Sequence, residues 1–470
     1  MMYQMMNNKA TSLRLLATLM VTFSCGISQA TQARPNTNEN QKVRVESGLA
    51  TPVMEAGRMQ NAYIRVSLTG YEMPDLAARA PLNVALVLDQ SSSMSGDKIQ
   101  RAKEAAILAV SKLSSNDVVS IITYDSTVNV LVPATRVTDK DRFYTAIESI
   151  RAAGSTALFA GTSKGAFEVR KYLDRERVNR VVLLSDGMAN IGPDSPSALG
   201  QLGKSLAKEG MSVSTIGLGL GYNEDLMTQL ANYSDGNHEF VENSADLARV
   251  FDKEFGDAMS VVAQNVQIEI ICEDGVQPIR IVGRDGSIIG NRVVTSMNQL
   301  YSAQQNYVVL EVAVPASKAG QQRQVASVKV TYDNMANQQS ETANNSIAAT
   351  FTRSTQEVKQ AIDKVAYESA IEQVANEQAA QAVELRDKGD IIGAQAALKS
   401  NAAFLDDAAG LIESPKLEQQ SLESLEEVQV VGQQGSWNKN RKLLKEKNYK
   451  RSKQQSLRSS SSSQDQSGQE

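Results

Sequence analysis

The chain has 470 residues, with 48 Lys and Arg against 53 Asp and Glu, a net charge of −5. A single hydrophobic core stops growing well below that length, so two or three domains are expected, and the weak acidity excludes nucleic-acid binding by bulk charge. Two cysteines cannot build a disulfide framework or a cysteine-rich zinc site, and a single histidine, His238, excludes a His-Glu-x-x-His zinc peptidase.

Residues 1–30 read as an export signal. Lys9 and Arg14 supply positive charge, Leu13 to Ile27 is largely apolar, and Ser28-Gln29-Ala30 offers the small residues that a signal peptidase reads. The apolar run is short for a spanning helix. The mature chain is therefore expected to be soluble and exported: periplasmic, on the cell surface or secreted. Cys25, at the end of the run, opens a lesser alternative, a lipoprotein. Cys272, in the apolar run Ile268 to Cys272, is expected to be an inert buried thiol.

Residues 42–80 read as β-strands, with Val43 and Val45, then Ala62, Ile64, Val66 and Leu68, alternating with polar neighbours. From 81 to 260 the pattern changes to strand-length apolar runs alternating with helical stretches. Pro81 to Leu88, Val118 to Tyr124, Val178 to Leu184 and Met211 to Leu218 are the main strands. Such alternation implies α/β architecture, a doubly wound, mostly parallel sheet with helices on both faces. Alternating strands return over 261–353 and suggest an antiparallel β-sandwich, which the 42–80 strands are expected to join because they cannot bury a face alone. Residues 355–411 are Ala-rich with helical spacing, a helical hairpin broken at Gly389. Residues 412–470 are rich in Gln, Ser and Lys and read as a polar and basic low-complexity tail. It is expected to be disordered, or else to be a basic arm that touches an acidic surface or a membrane.

The chemistry concentrates where strands of the α/β segment end. The first strand runs into Asp89-Gln90-Ser91-Ser92-Ser93-Met94-Ser95-Gly96, one carboxylate and two hydroxyls at alternate positions in one tight loop. Gly154-Ser155-Thr156-Ala157-Leu158 is a second hydroxyl-bearing loop before a helix, and Leu184-Ser185-Asp186-Gly187 ends a later strand. Loops at the carboxyl ends of such strands are where open α/β sheets bind ligands. Every donor is an oxygen, a set that selects Mg²⁺, Ca²⁺ or Mn²⁺ over zinc or copper, and Mg²⁺ suits few protein oxygens with several waters. Any one loop alone would be an ordinary helix cap; the three together point to a metal site.

Asp89-x-Ser91-x-Ser93 with Thr156 and Asp186 resembles the metal-ion-dependent adhesion site of the von Willebrand factor type A domain, over roughly 81–260. One departure is Ser92, where many members have Gly. The resemblance implies that Ser91 and Ser93 ligate the ion directly. Thr156 would do so in an open state and through water in a closed one, while Asp89 and Asp186 mostly hold coordinated waters. It implies a vacant position filled by an Asp or Glu carboxylate of a partner protein. It also implies a switch in which the last helix, matching Leu247 to Met259, moves.

Gly217-x-Gly219-x-Gly221 has the wrong spacing for a dinucleotide loop and reads as a glycine turn. His238, without a second histidine, reads as a packing or surface residue. The expected function is a non-enzymatic, metal-dependent binding module for adhesion or envelope assembly. The alternatives are a scaffold whose metal only stabilises the fold, and a metal-dependent hydrolase, for which no general base flanks the loops.

Overall fold

The structure, a computed structural model, describes residues 41–73 and 79–455. The expected export signal and Cys25 lie outside the described residues. In chain order the first strands are β1 (Arg44–Leu49), β2 (Val53–Glu55) and β3 (Gln60–Thr69). Then come β4 (Leu82–Asp89), α1 (Asp97–Ser111), β5 (Val118–Tyr124), β6 (Val128–Arg136), α2 (Lys140–Glu148), α3 (Leu158–Arg170) and β7 (Val178–Ser185). These are followed by α4 (Pro196–Lys208), β8 (Met211–Leu218), α5 (Glu224–Ser234), β9 (His238–Val241) and α6 (Leu247–Met259). They build one sheet in the order β6-β5-β4-β7-β8-β9, parallel except for β6. β4, β5, β7 and β8 are buried throughout, because helices cover both faces.

The chain then enters β10 (Val261–Cys272), β11 (Gln277–Val282), β12 (Gly286–Ile289), β13 (Arg292–Tyr301), β14 (Gln305–Val314), β15 (Gln322–Asn334) and β16 (Gln339–Thr352). Two sheets result, β1-β3-β14-β11 and β12-β13-β10-β15-β16-β2. β3 pairs with β14 along its whole length, so the chain begins a sandwich, leaves for the parallel sheet and returns. Ile64, Val66 and Leu68 face Ile268, Ile270 and Cys272 in the shared core. In β13 the strand period is weak in the sequence, because its inward positions Val293, Thr295, Met297 and Gln299 mix apolar with polar residues.

Five helices follow: α7 (Thr355–Gln360), α8 (Lys364–Asp387), α9 (Ile391–Ile412), α10 (Pro415–Gly432) and α11 (Trp437–Ser452). α8 lies on the outer face of the four-stranded sheet, where Ala370 and Val374 meet Val282 and Val309. The expectation of a low-complexity tail from 412 is corrected: Pro415 to Ser452 forms two helices packed on the rest of the chain. Leu417, Val428, Val431 and Leu444 are buried there. Every basic residue from Lys439 to Lys453 meets a carboxylate of this same chain. The basic segment thus lies against an acidic surface that is its own. Residues 456–470 lie outside the described residues, and among the described ones no helix is long and apolar enough to cross a membrane.

Candidate metal centre

Asp89 ends β4, next to β7 at the middle of the parallel sheet, with its side chain fully buried. Its Oδ1 accepts the Ser91 backbone N–H at 2.8 Å and its Oδ2 the Ser185 hydroxyl at 2.8 Å. Tied in this way, the backbone makes a single 3-10 turn, Ser92–Met94, that sinks Met94 into the core. The Ser91 and Ser93 hydroxyls lie on one side of the turn with their oxygens 3.0 Å apart. Gly96, at φ 81°, a conformation that costs most other residues energy, closes the loop before α1.

The second loop is stapled to the first. The Ser92 N–H donates to the Gly154 carbonyl at 3.0 Å and the Ala153 N–H to the Gln90 carbonyl at 2.7 Å. Thr156, just before α3, exchanges two bonds with Asn190: its N–H donates to Asn190 Oδ1 at 2.8 Å, and the Asn190 N–H donates to its carbonyl at 3.2 Å. Asp186 follows the last residue of β7. Its Oδ1 accepts from Ser93 Oγ at 2.6 Å and its Oδ2 from the ammonium of Lys98. A Cβ on Gly187 would lie 3.2 Å from Thr156 Oγ1 and 3.3 Å from Ser93 Oγ, so these hydroxyls border one small space that only a glycine leaves open. The structure therefore brings Asp89, Ser91, Ser93, Thr156 and Asp186 together. Ser93 is open to solvent, while the other four are buried.

Three positioning residues escaped the sequence reading: Ser185, which holds Asp89; Asn190, which holds Thr156; and Lys98, in the first turn of α1. Ser185 and Asn190 flank the Asp186 loop closely enough to have been suspected. Lys98 carried no signal, because a lysine early in a helix is usually solvated.

Burial pushes the Asp89 carboxyl above its ordinary range; the Ser91 and Ser185 hydrogen bonds pull it partly back, and the Asp186 charge adds to the rise. Two buried carboxylates thus share one rim with a single ammonium, an electrostatic deficit that a cation would relieve. Among the described residues no group of three or more His, Cys, Asp and Glu could hold a metal, so a metal here must take hydroxyl ligands. The 3.0 Å between the Ser91 and Ser93 oxygens suits such an ion. Neighbouring oxygens around octahedral Mg²⁺ stand about 2.9 Å apart, given metal–oxygen distances of about 2.1 Å. The donor set fits a hard divalent cation.

The glycine turn borders the same place. A Cβ on Gly221 would lie 2.7 Å from the Asp186 carbonyl oxygen, and one on Gly219 3.9 Å from Lys98 Nζ. Gly221 serves close backbone approach, and Gly219, at φ 71°, a left-handed turn. His238 is far from chemistry of this kind: it is fully buried on β9, with Nδ1 2.8 Å from Thr215 Oγ1 and its ring against Tyr222 and Tyr449.

Residues 83–253 match the family model of the von Willebrand factor type A domain. Over 190 residues, 40% of this chain, it is 28% identical to YfbK of Escherichia coli (strain K12) and 30% identical to sll0103 of Synechocystis sp.. The matched segment spans only 33% and 44% of the lengths of those two relatives. A solved von Willebrand factor type A structure from Catenulispora acidiphila superposes with a TM-score of 0.65 at 16% identity, covering 79% of this chain and 88% of that one.

Proposed function

The chain belongs to the von Willebrand factor type A family through residues 83–253, and on that premise we propose that it is a cation-dependent protein-binding module. Domains of this family commonly serve protein–protein interaction and adhesion. Ser91, Ser93 and Thr156 would hold Mg²⁺, or else Mn²⁺ or Ca²⁺, with Asp89 and Asp186 behind them. When bound, the ion supplies a positive centre that neutral hydroxyls leave under-neutralised and that takes an Asp or Glu carboxylate of a partner protein.

This chain's residues do the rest. Asp89, fully buried, cannot meet a partner; it fixes the loop that carries both serines. Asn190 fixes Thr156. Lys98 balances part of the Asp186 charge. Ser93 faces solvent, so the donor cluster is reachable from outside. Hydrolysis would need a general base beside these oxygens, and the sole histidine is bonded to Thr215 inside the fold.

The observation that carries the proposal is the convergence of three hydroxyls and two carboxylates from three loops on a solvent-open rim. The test is capture of partner proteins from an envelope extract. Capture should require Mg²⁺, cease in EDTA, and be lost in Asp89→Ala and Thr156→Ala with the fold intact. Identical captured sets from wild type and both variants would defeat the metal-bridge reading. A cation that raises the melting temperature with no effect on capture would point to a structural ion.

A further inference from the structure

A second cleft lies where the end of α6, the turn between β13 and β14 and the residues after α11 meet. Asn237, in its lining, precedes β9, so the cleft is at the end of the parallel sheet opposite the metal centre. Its volume is about 560 Å³, within the range of about 300–1,000 Å³ common to small-molecule sites.

Asp257 of α6 lines this cleft, half-buried and without a base in contact. The Asn237 amide donates to its Oδ2 at 3.3 Å, a long bond. Neighbouring carboxylates are matched: Glu254 holds Arg180 at 2.6 Å, and Glu239 holds Lys253 at 2.6 Å and Lys450 at 2.8 Å. Arg180 and Lys253 therefore act on Asp257 only through space, their own contacts being with other acids. A carboxylate removed from water is costly until a cation reaches it. The cleft is the side from which one can.

The rest of the lining is mostly uncharged and polar. The Gln304 side chain makes no hydrogen bond among the described residues. Gln455 donates to Asn237 Oδ1 at 2.7 Å through Nε2, which leaves its Oε1 for another donor. Ser302 Oγ accepts the Met73 N–H at 2.9 Å and keeps its own hydrogen to donate. Carboxamides and hydroxyls both donate and accept, as the hydroxyl groups of a ligand do. An anion would face Asp257, and a cation with an apolar body would leave these groups unmatched.

We propose that this cleft binds a small organic cation, a protonated amine that also carries hydroxyl groups, as an amino sugar does. Its ammonium pairs with Asp257 and its hydroxyls with Gln304, Gln455 and Ser302. The site is independent of the metal centre and of the partner proposed for it.

The test is a ligand-observed NMR titration of the full chain with glucosamine in phosphate buffer at pH 7, with EDTA present to silence the metal centre. Two comparison probes divide the chemistry: N-acetylglucosamine has the hydroxyls without the charge, and butylamine the charge without the hydroxyls. Glucosamine should bind about tenfold more tightly than either. The isosteric Asp257→Asn should lose the margin over N-acetylglucosamine, and Gln304→Ala, in an accessible turn, should narrow the margin over butylamine; melting curves establish that both are folded. Equal affinity for glucosamine and N-acetylglucosamine, an undiminished margin in Asp257→Asn, or no binding of any probe would overturn the site. Butylamine binding as tightly as glucosamine, or an unchanged margin over it in Gln304→Ala, would overturn the ligand class.

Discussion

At Gly187 a single methyl group separates an open donor cluster from a crowded one. Alanine there would press on Thr156 Oγ1 at 3.2 Å and Ser93 Oγ at 3.3 Å, while the backbone conformation suits any residue. Gly187→Ala should weaken Mg²⁺ uptake by about tenfold while changing unfolding stability in EDTA by less than about 1 kcal/mol. Calorimetric titration and melting measure the two, and unaltered uptake would refute the assignment of that space. A second residue-scale expectation concerns pH. Burial pushes the His238 imidazole down from 6.5 to about 3, with Glu239 opposing and Lys450 and Lys442 adding to the shift. The folded state then binds fewer protons than the unfolded one, so this stabilisation is full above 6.5 and lost as pH falls toward 3. Asp257 behaves oppositely. Burial and then Glu254 push its carboxyl up from 3.8 to about 6, against Arg180 and Lys253 and with Glu239, so its contribution is lost as pH rises through that window. The two slopes, each at most about 1.4 kcal/mol per pH unit, oppose one another. Asp257→Asn should therefore make the melting temperature fall more steeply between pH 6 and pH 4 than in wild type; parallel curves would contradict the linkage.

At the scale of elements, the instructive case is α11. Its composition is that of a solvated arm, yet its basic residues are answered one by one by carboxylates, nearly all of them outside the helix. Arg441 meets Glu224, Asp225 and Asp387; Lys442 meets Glu224; Lys450 meets Glu239 and Glu446. Tyr449 donates to the Gly236 carbonyl. The preceding helix ends are set locally. Asp363, Asp390 and Ser414 each accept an N–H of the first turn of the next helix, and Pro415 opens α10. Ending the chain before Trp437 would take Arg441 and Lys442 from Glu224 and Lys450 from Glu239, which keeps Lys253, and would uncover the apolar surface that α11 buries. A large fall in melting temperature is expected. Trypsin should also spare Lys442 and Lys450 in the native protein, and early cleavage there would show that α11 is not docked.

For the whole molecule, the junction of the parallel sheet with the sandwich runs through Arg180. Its guanidinium on β7 is fully buried and bonded to Glu254 of α6 at 2.6 Å, to Tyr301 of β13 at 2.7 Å and to Gln299. Arg180→Met would leave Glu254 without its buried counter-charge. The expected loss is about 3–5 kcal/mol in urea unfolding, with the single transition splitting into two as the sandwich and the parallel sheet lose their shared anchor. An unsplit, unshifted transition would show that the junction rests on apolar contact alone. Because α11 binds the edge of the parallel sheet and also α8, which covers the sandwich, the two layers are joined a second time by a helix from the end of the chain.

The residues alone determined the strand–helix alternation of 81–260 and the presence of five oxygen-bearing side chains at strand ends. Both are local properties: apolar runs bury themselves wherever they pair, and a short loop fixes its own hydroxyls within a few bonds. Tertiary structure decided what depends on groups distant in the chain. Lys98 reaches Asp186 only because the loop after β4 packs on the end of β7, and Asn190 matters only because it folds back onto Thr156. The basic segment after 437 is helical only because carboxylates more than 200 residues earlier neutralise it. Composition counts charges; whether they are solvated or paired is set by what the fold brings beside them, since a buried charge is tolerated only with a partner in reach.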